Sequence, residues 1–361
     1  MYIIFLGVFL GIYGGMNYYV FKSITKGFMI TGLNKKLLAA FFIFMASTFM
    51  VSQFLKSKMD VYILLYIGAL WLGILSISIS ILLFKDLIVF FLPNYRTVAA
   101  IISIFLIIIA TGLSIWTVLK GPRVKNVDLT FEDRNVKEAF SIVLLSDVHL
   151  GMMTSQKWLD TVVASVNKLE ADIIVITGDL IDDDYHHVER FIPQIQQFES
   201  KYGTFAISGN HEVYRGIEGF HTFTRESDVI ALDSKIEVVG DLVNIIGLED
   251  FYAGRNNKEA FQKKLTEIIK QGNPNNLNLL LFHQPEHFQL ASELGIDLQL
   301  SGHTHGGQIP PMNFLIPLRY KYGKGLYNYL SSYIYTSTGT GTWGPPMRVF
   351  SVSEIVKINI K

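Results

Sequence analysis

The sequence of 361 residues contains no cysteine and little charge. The absence of cysteine excludes disulfide bonds, zinc–thiolate sites and cysteine nucleophiles. Charged residues make up 17% of the chain and hydrophobic residues 50%. A soluble domain carries about a quarter charged residues, so this chain is too apolar to be one soluble body. Disorder is excluded as well, because disordered chains are rich in charge and poor in apolar residues.

A net charge of zero hides two unlike parts of the chain. Residues 1–119 contain eight of the 31 Lys and Arg residues and two of the 31 acidic residues. The remaining 23 basic and 29 acidic residues, and all nine histidines, lie in residues 120–361. An acidic polar part would repel the phosphates of nucleic acids, so we expect no nucleic-acid partner.

The first part contains four uncharged apolar runs, which are Met1–Phe21, Leu37–Leu55, Val61–Phe84 and Thr97–Leu119. Each run is close to the roughly 20 residues that a helix needs to cross a bilayer. A cleaved signal peptide would account for only one of them. We therefore predict that residues 1–120 form a transmembrane domain of four helices and that the chain is a multi-pass protein of the cell membrane.

The basic residues near the ends of these runs predict the orientation. Those on the side of the first and third loops are Lys22, Lys26, Lys35, Lys36, Lys85 and Arg96. Those on the other side are Lys56, Lys58, Lys120, Arg123 and Lys125. Cytoplasmic loops carry the excess of positive charge, so this division predicts that the part after residue 120 lies outside the cytoplasm.

Beyond Gly121 and Pro122, short runs of Val, Ile and Leu alternate with amphipathic stretches. The predicted strands are Ser141–Ser146, Asp172–Thr177, Gly203–Ser208, Leu277–Phe282, Leu298–Ser301, Tyr333–Ser337 and Met347–Ile360, with two or three antiparallel strands in Val229–Gly247. The predicted helices are Ser155–Glu170, His187–Ser200, Lys258–Gln271 and Pro285–Leu294. This alternation predicts an α/β domain over residues 141–361, joined to the membrane part by a linker over residues 121–140.

Five of these strands are each followed by Asp, Asn or His residues. The motifs are Asp147-Val148-His149, Gly178-Asp179-Leu180-Ile181-Asp182, Gly209-Asn210-His211-Glu212, His283, and Gly302-His303-Thr304-His305. Carboxylate, amide and imidazole groups are ligands for Mn²⁺, Fe, Zn²⁺ or Mg²⁺. A single Asp or His after a strand is usually a turn residue, but five such ends at one edge of a sheet indicate a metal site.

This series of motifs resembles the calcineurin-like metallophosphoesterase superfamily, over roughly residues 141–361. The stretches Gly302–Gln308 and Gly341–Pro346 are similar to its bacterial YkuE/YaeI-type branch. The resemblance implies a four-layer α/β/β/α sandwich that holds two divalent metal ions. It implies that the first ion is bound by Asp147, His149 and His305, and the second by Asn210, His283 and His303. It further implies that Asp179 bridges the ions and that His211 is a catalytic histidine.

The expected activity is hydrolysis of a phosphodiester, by attack of a hydroxide that bridges the two metal ions. Lipid-linked and pyrophosphate substrates are compatible with a membrane-anchored enzyme. Two alternatives remain open at this point: a phosphatase of soluble nucleotides, and a non-catalytic membrane protein that uses the domain to bind a partner. A transporter is disfavoured, because the four apolar runs contain no acidic or basic residue.

Overall fold

The computed structural model describes residues 2–55, 59, 61–131, 136–252 and 257–361, without the side chains of residues 2–6 and 252. Lys56 and Lys58, which enter the predicted orientation, lie outside the described residues, as do residues 132–135 of the predicted linker. The chain divides into two compact units. One comprises residues 1–119, 309–312 and 344–350, and the other comprises residues 120–308, 313–343 and 351–361.

The described residues of the first unit form four α-helices. They are α1 (Tyr2–Gly27), α2 (Gly32–Leu55), α3 (Tyr62–Phe91) and α4 (Arg96–Leu119). Among the described residues, three helices are long and apolar enough to cross a membrane. They are α2, α3, and α4 together with the 3₁₀ turn that precedes it. Helix α1 is not one of these three, so the number of four crossings remains a prediction.

Helix α3 is longer than the apolar run Val61–Phe84 that predicts it, because it continues through Lys85 and Asp86 to Phe91. The two charges compensate each other, since Lys85 Nζ lies 2.8 Å from Asp86 Oδ1. Lys85 Nζ also donates to the hydroxyl of Ser23 at 2.6 Å. Paired and hydrogen-bonded charges therefore interrupt the apolar run without ending the helix.

The first unit also contains two short segments from late in the chain, residues 309–312 and 344–350. Ile309 and Met347 are buried with Ile77 of α3 in one apolar cluster. Ser76 of α3 donates a hydrogen bond to the carbonyl of Pro310 at 2.6 Å. The strand predicted over Met347–Ile360 therefore begins only at Glu354, since its first residues pack against helices.

The described residues of the second unit form two six-stranded sheets. The strands are β1 (Arg123–Leu129), β2 (Phe140–Leu145), β3 (Ile173–Thr177), β4 (Thr204–Ile207), β5 (Ile230–Ala231), β6 (Lys235–Val239), β7 (Val243–Leu248), β8 (Leu277–Phe282), β9 (Leu298–Ser301), β10 (Gly325–Tyr329), β11 (Ser332–Thr336) and β12 (Glu354–Ile360). The first sheet has the order β1-β12-β2-β3-β4-β5 and the second sheet has the order β10-β11-β9-β8-β7-β6. The helices are α5 (Gln156–Asn167), α6 (Tyr185–Val188), α7 (Ile192–Ile195), α8 (Asn210–Arg215), α9 (Ile217–Glu226), α10 (Lys258–Ile269), α11 (Phe288–Glu293) and α12 (Met312–Arg319), whose first residue belongs to the helical unit.

The central strands are buried on both faces, which explains their uninterrupted apolar sequences. On β2, Ile142 and Leu144 join the core between the two sheets, whereas Val143 and Leu145 face the helices outside the first sheet. Helices α10 and α11 cover the outer face of the second sheet through a third apolar cluster. The unit is therefore the α/β/β/α sandwich that the family resemblance implies.

Two segments of this unit differ from the sequence prediction. The helix predicted over His187–Ser200 is broken into the short helices α6 and α7 with a 3₁₀ turn between them, because Pro193 lacks the N–H that a continuous helix needs. Within the predicted linker, Arg123–Leu129 forms β1, which pairs in parallel with β12. Only two of its seven side chains are buried, so it has little of the apolar alternation typical of a strand.

Candidate dinuclear metal centre

All of the predicted ligands lie in loops that follow central strands. Strands β2, β3 and β4 are parallel neighbours in one sheet, and β8 and β9 are parallel neighbours in the other. The carboxyl ends of parallel neighbours lie at the same edge of a sheet. The structure brings the seven side chains into two groups that share Asp179.

The first group contains Asp147, His149 and His305, which are all buried. The Nε2 atoms of His149 and His305 lie 3.1 Å apart. His305 Nε2 lies 3.3 Å from Asp147 Oδ1, and His149 Nε2 lies 3.9 Å from Asp179 Oδ2. Two carboxylates and two imidazoles therefore converge on one point.

The second group contains Asn210, His283 and His303. Asn210 Oδ1 lies 3.2 Å from His283 Nε2 and 2.8 Å from His303 Nδ1. Asp179 Oδ2 lies 3.2 Å from the same His283 Nε2. One carboxylate oxygen of Asp179 is thus within 4 Å of a histidine nitrogen in each group.

The hydrogen bonds of His283 show that these donors fit a cation. Its Nδ1 lies 2.8 Å from the carbonyl of Thr177, which can only accept, so Nδ1 carries the proton. In the neutral ring, the lone pair of Nε2 then faces the oxygens of Asp179 and Asn210. Burial alone would lower the pKa of His283, but the Asp179 carboxylate raises it well above the usual range. A positive charge is favoured at this point, and a metal ion supplies one.

The backbone around the ligands is held in an uncommon conformation. Five of the predicted ligands have φ between 50° and 69°, namely Asp147, His149, Asp179, His303 and His305. Non-glycine residues rarely adopt this left-handed region, and such outliers collect at functional sites. Gly302 allows the close approach of two of these loops, because a Cβ atom there would overlap Ser146 Oγ and Asp147 Oδ2.

Comparison with known proteins identifies the family. The sequence profile described as calcineurin-like phosphoesterase matches residues 140–307. An uncharacterized metallophosphoesterase of Campylobacter jejuni is 33% identical, in a match that covers 100% of this chain and 99% of that protein. This chain belongs to the calcineurin-like metallophosphoesterase family.

Two other relatives cover only part of this metallophosphoesterase. YkuE of Bacillus subtilis is 30% identical, over 62% of this chain and 80% of YkuE. A bovine protein described as a transmembrane protein with metallophosphoesterase domain is 32% identical, over 61% of this chain and 52% of its own length. The bovine relative and the apolar helices support association of this metallophosphoesterase with a membrane.

His211 of the metallophosphoesterase lies beside the predicted ligands at the start of α8. Its Nδ1 lies 2.6 Å from Asp182 Oδ1, and its ring is 4.8 Å from the ring of His149. Burial would lower the pKa of His211, but the hydrogen bond to the Asp182 carboxylate and the charges of Asp179, Asp182 and Glu212 together outweigh it, so the pKa is raised. Trp343, which has no predicted role, places its exposed ring 5.5 Å from the ring of His211.

Glu212 is a second residue without a predicted role. Its side chain is fully buried and accepts hydrogen bonds from the backbone N–H groups of Asp179, Ile181 and Gly209, at 3.1, 2.9 and 2.7 Å. Burial raises its pKa, and the nearby charge of Asp179 adds to this effect. Glu212 therefore joins the loop that carries Asp179 to the loop that carries Asn210. A glutamate three residues after Gly209, at the start of a helix, is the sequence signal for such a contact.

Proposed function

We propose that this chain is a membrane-anchored phosphoesterase that hydrolyses a phosphodiester with the help of two divalent cations. The observation that carries the proposal is the position of Asp179. Its Oδ2 atom lies 3.9 Å from His149 Nε2 and 3.2 Å from His283 Nε2, so one carboxylate reaches both groups of donors. Paired metal sites that share ligands are typical of phosphoester hydrolysis.

The two groups of side chains define the proposed ligands. Asp147, His149 and His305 would hold one cation, Asn210, His283 and His303 would hold the other, and Asp179 would contact both. Nitrogen and oxygen donors of this kind suit Mn²⁺, Fe, Zn²⁺ or Mg²⁺. When bound, the pair of cations would neutralise the phosphate oxygens and lower the pKa of a water molecule between them.

His211 is the proposed proton donor. The Asp182 carboxylate contributes to its raised pKa, which favours the protonated imidazole beside the proposed ligands. As water attacks phosphorus and the bond from phosphorus to the leaving oxygen breaks, His211 would transfer its proton to that oxygen. A general acid of this kind contributes about 10²–10⁴-fold to a rate.

The arrangement in the membrane is part of the proposal. Residues 1–120 would anchor the chain in the cell membrane by several helices, and residues 141–361 would form the catalytic domain outside the cytoplasm. The distribution of basic residues between the loops supports this orientation. Because the chain has no cysteine, single cysteines placed in the loops and labelled from one side of the membrane would test it.

Hydrolysis of bis(p-nitrophenyl) phosphate by the purified full-length protein loaded with Mn²⁺ tests the reaction. We expect metal-dependent turnover that is lost in His211→Ala and kept in His221→Ala, since His221 is partly exposed and outside the two groups. Bound metal without turnover would instead favour a binding module. A strong preference for nucleotides in a screen of lipid and nucleotide phosphates would favour the soluble-nucleotide alternative.

A further inference from the structure

Helix α12 packs against the second unit with one narrow face. Its partly buried side chains are Asn313 and Ile316, three positions apart. Tyr320 is also partly buried and lies four positions after Ile316, directly after the helix ends. Asn313 Nδ2 donates to the carbonyl of Gly306 at 2.9 Å, and the hydroxyl of Tyr320 lies 3.2 Å from Gln284 Oε1. This face therefore makes polar contacts and lies next to the loop that carries His305.

The opposite face of α12 is apolar and exposed. Phe314 is 63% exposed, Leu315 46% and Leu318 83%. A helix on the surface of a soluble domain has the reverse pattern, with its apolar side chains inward and its polar side chains in water. Contiguous exposed apolar side chains mark a surface that contacts a partner or a membrane.

The start of α12 indicates what covers this face. Its first residue, Met312, belongs to the segment 309–312 that packs within the first unit. In that segment Pro310 accepts a hydrogen bond from Ser76 of α3, and Ile309 is buried with Ile77. Because α3 is a candidate membrane span, lipid is the apolar phase available where α12 begins. Helices with one apolar and one polar face lie in the lipid–water interface in this way.

Aromatic side chains connect α12 with the candidate metal centre. Tyr320 follows the helix directly, and its ring lies 5.6 Å from the ring of His303. Trp343 and Tyr214 lie 5.5 and 6.1 Å from the ring of His211 and are 54% and 77% exposed. An apolar group bound at α12 thus has further apolar surface close to the proposed reaction site.

We propose that α12 lies in the lipid–water interface and that the substrate is a phosphoester carried by a lipid, whose apolar chain contacts Phe314, Leu315 and Leu318. The location of α12 is independent of the reaction, whereas the substrate class rests on the proposed phosphoesterase function. Two measurements on the full-length protein in phospholipid vesicles separate these two parts.

The first measurement uses the absence of cysteine. Leu318→Cys is labelled with an environment-sensitive fluorophore, and Leu330→Cys serves as the control. Leu330 is 68% exposed and lies in the turn before β11, at the end of the sheet opposite to the ligands, because β11 runs parallel to β9. We expect nitroxide-labelled lipid to quench only the label at position 318, and aqueous iodide to quench mainly the label at position 330. Equal iodide quenching at both positions would overturn the location of α12.

The second measurement compares kcat/KM for hexadecyl p-nitrophenyl phosphate with that for methyl p-nitrophenyl phosphate. We expect this ratio to fall by about tenfold in the double variant Phe314→Gln/Leu318→Gln. A tenfold change is the effect expected when about two methylene groups of the substrate's apolar chain lose their apolar contact. The control Leu330→Gln keeps the wild-type ratio. An unchanged ratio in the double variant would overturn the lipid substrate. No turnover of either ester by the metal-loaded wild type would instead refute the phosphoesterase function itself.

Discussion

Glu212 allows the stability of the candidate centre to be tested separately from its chemistry. Substitution Glu212→Ala removes the acceptor of three backbone N–H groups, on Asp179, Ile181 and Gly209. The side chain is fully buried, so water does not simply replace it. Each buried donor without a partner costs about 1–3 kcal/mol, so we expect the free energy of unfolding to fall by about 3 kcal/mol or more.

Thermal unfolding of the metal-free protein in detergent measures this loss without the contribution of bound metal. About 1 kcal/mol corresponds to about 2–4 °C in a domain of 150–250 residues, so Tm should fall by at least about 6–12 °C. Metal affinity should fall by about 10–100-fold, because Glu212 holds the loop of Asp179. Glu212→Gln keeps one acceptor oxygen and should give an intermediate Tm.

The matched control is Glu237→Ala, in β6. Glu237 is exposed, and substitutions at such positions change stability by about 0.5 kcal/mol or less. If Glu212→Ala and Glu237→Ala unfold at the same temperature, the three hydrogen bonds do not stabilise the loops. The interpretation that Glu212 joins the loops of Asp179 and Asn210 would then be wrong.

Three further substitutions test the proposed roles of other residues. His211→Ala should lower kcat by about 10²–10⁴-fold with unchanged metal content, and loss of metal would mean that His211 is a ligand. Asp182→Asn removes the charge that raises the pKa of His211, so the fall of kcat at high pH should move to lower pH; an unmoved pH profile would contradict this coupling. Gly302→Ala should cost about 1–3 kcal/mol of unfolding free energy, because its Cβ would overlap Ser146 and Asp147, whereas Gly219→Ala meets no atom closer than 4.0 Å and serves as its control. Equal Tm values for the two glycine variants would refute the overlap.

The sequence predicts the central strands well because their signals are local. Leu277–Phe282 and Leu298–Ser301 are apolar runs that end directly at the predicted ligands His283 and Gly302-His303, and both strands have the predicted bounds. Once these strands pair in parallel, their following residues reach one edge of the sheet. The approach of His283 to His303 is therefore foreseeable from the order of strands and motifs, whereas the division of the five motifs between two sheets is not.

Other features depend on contacts between residues that are distant in the sequence. Strand β1 is mostly polar and exposed, and it is recognisable only through its pairing with β12, more than 200 residues later. Helix α12 contains Pro317 and carries its apolar residues outward, so neither periodicity nor propensity indicates how it packs. The role of Glu212 depends on Asp179 and Ile181, more than 30 residues earlier in the chain.

The metal content of the purified full-length protein tests the central proposal most directly. After loading with Mn²⁺ and removal of free metal, mass spectrometry of the wild type should give two ions per chain. Asp179→Asn should give one ion or none, because Asp179 is the side chain that both groups of donors share. Two ions retained in Asp179→Asn, or fewer than two in the fully loaded wild type, would contradict a dinuclear centre built on this carboxylate.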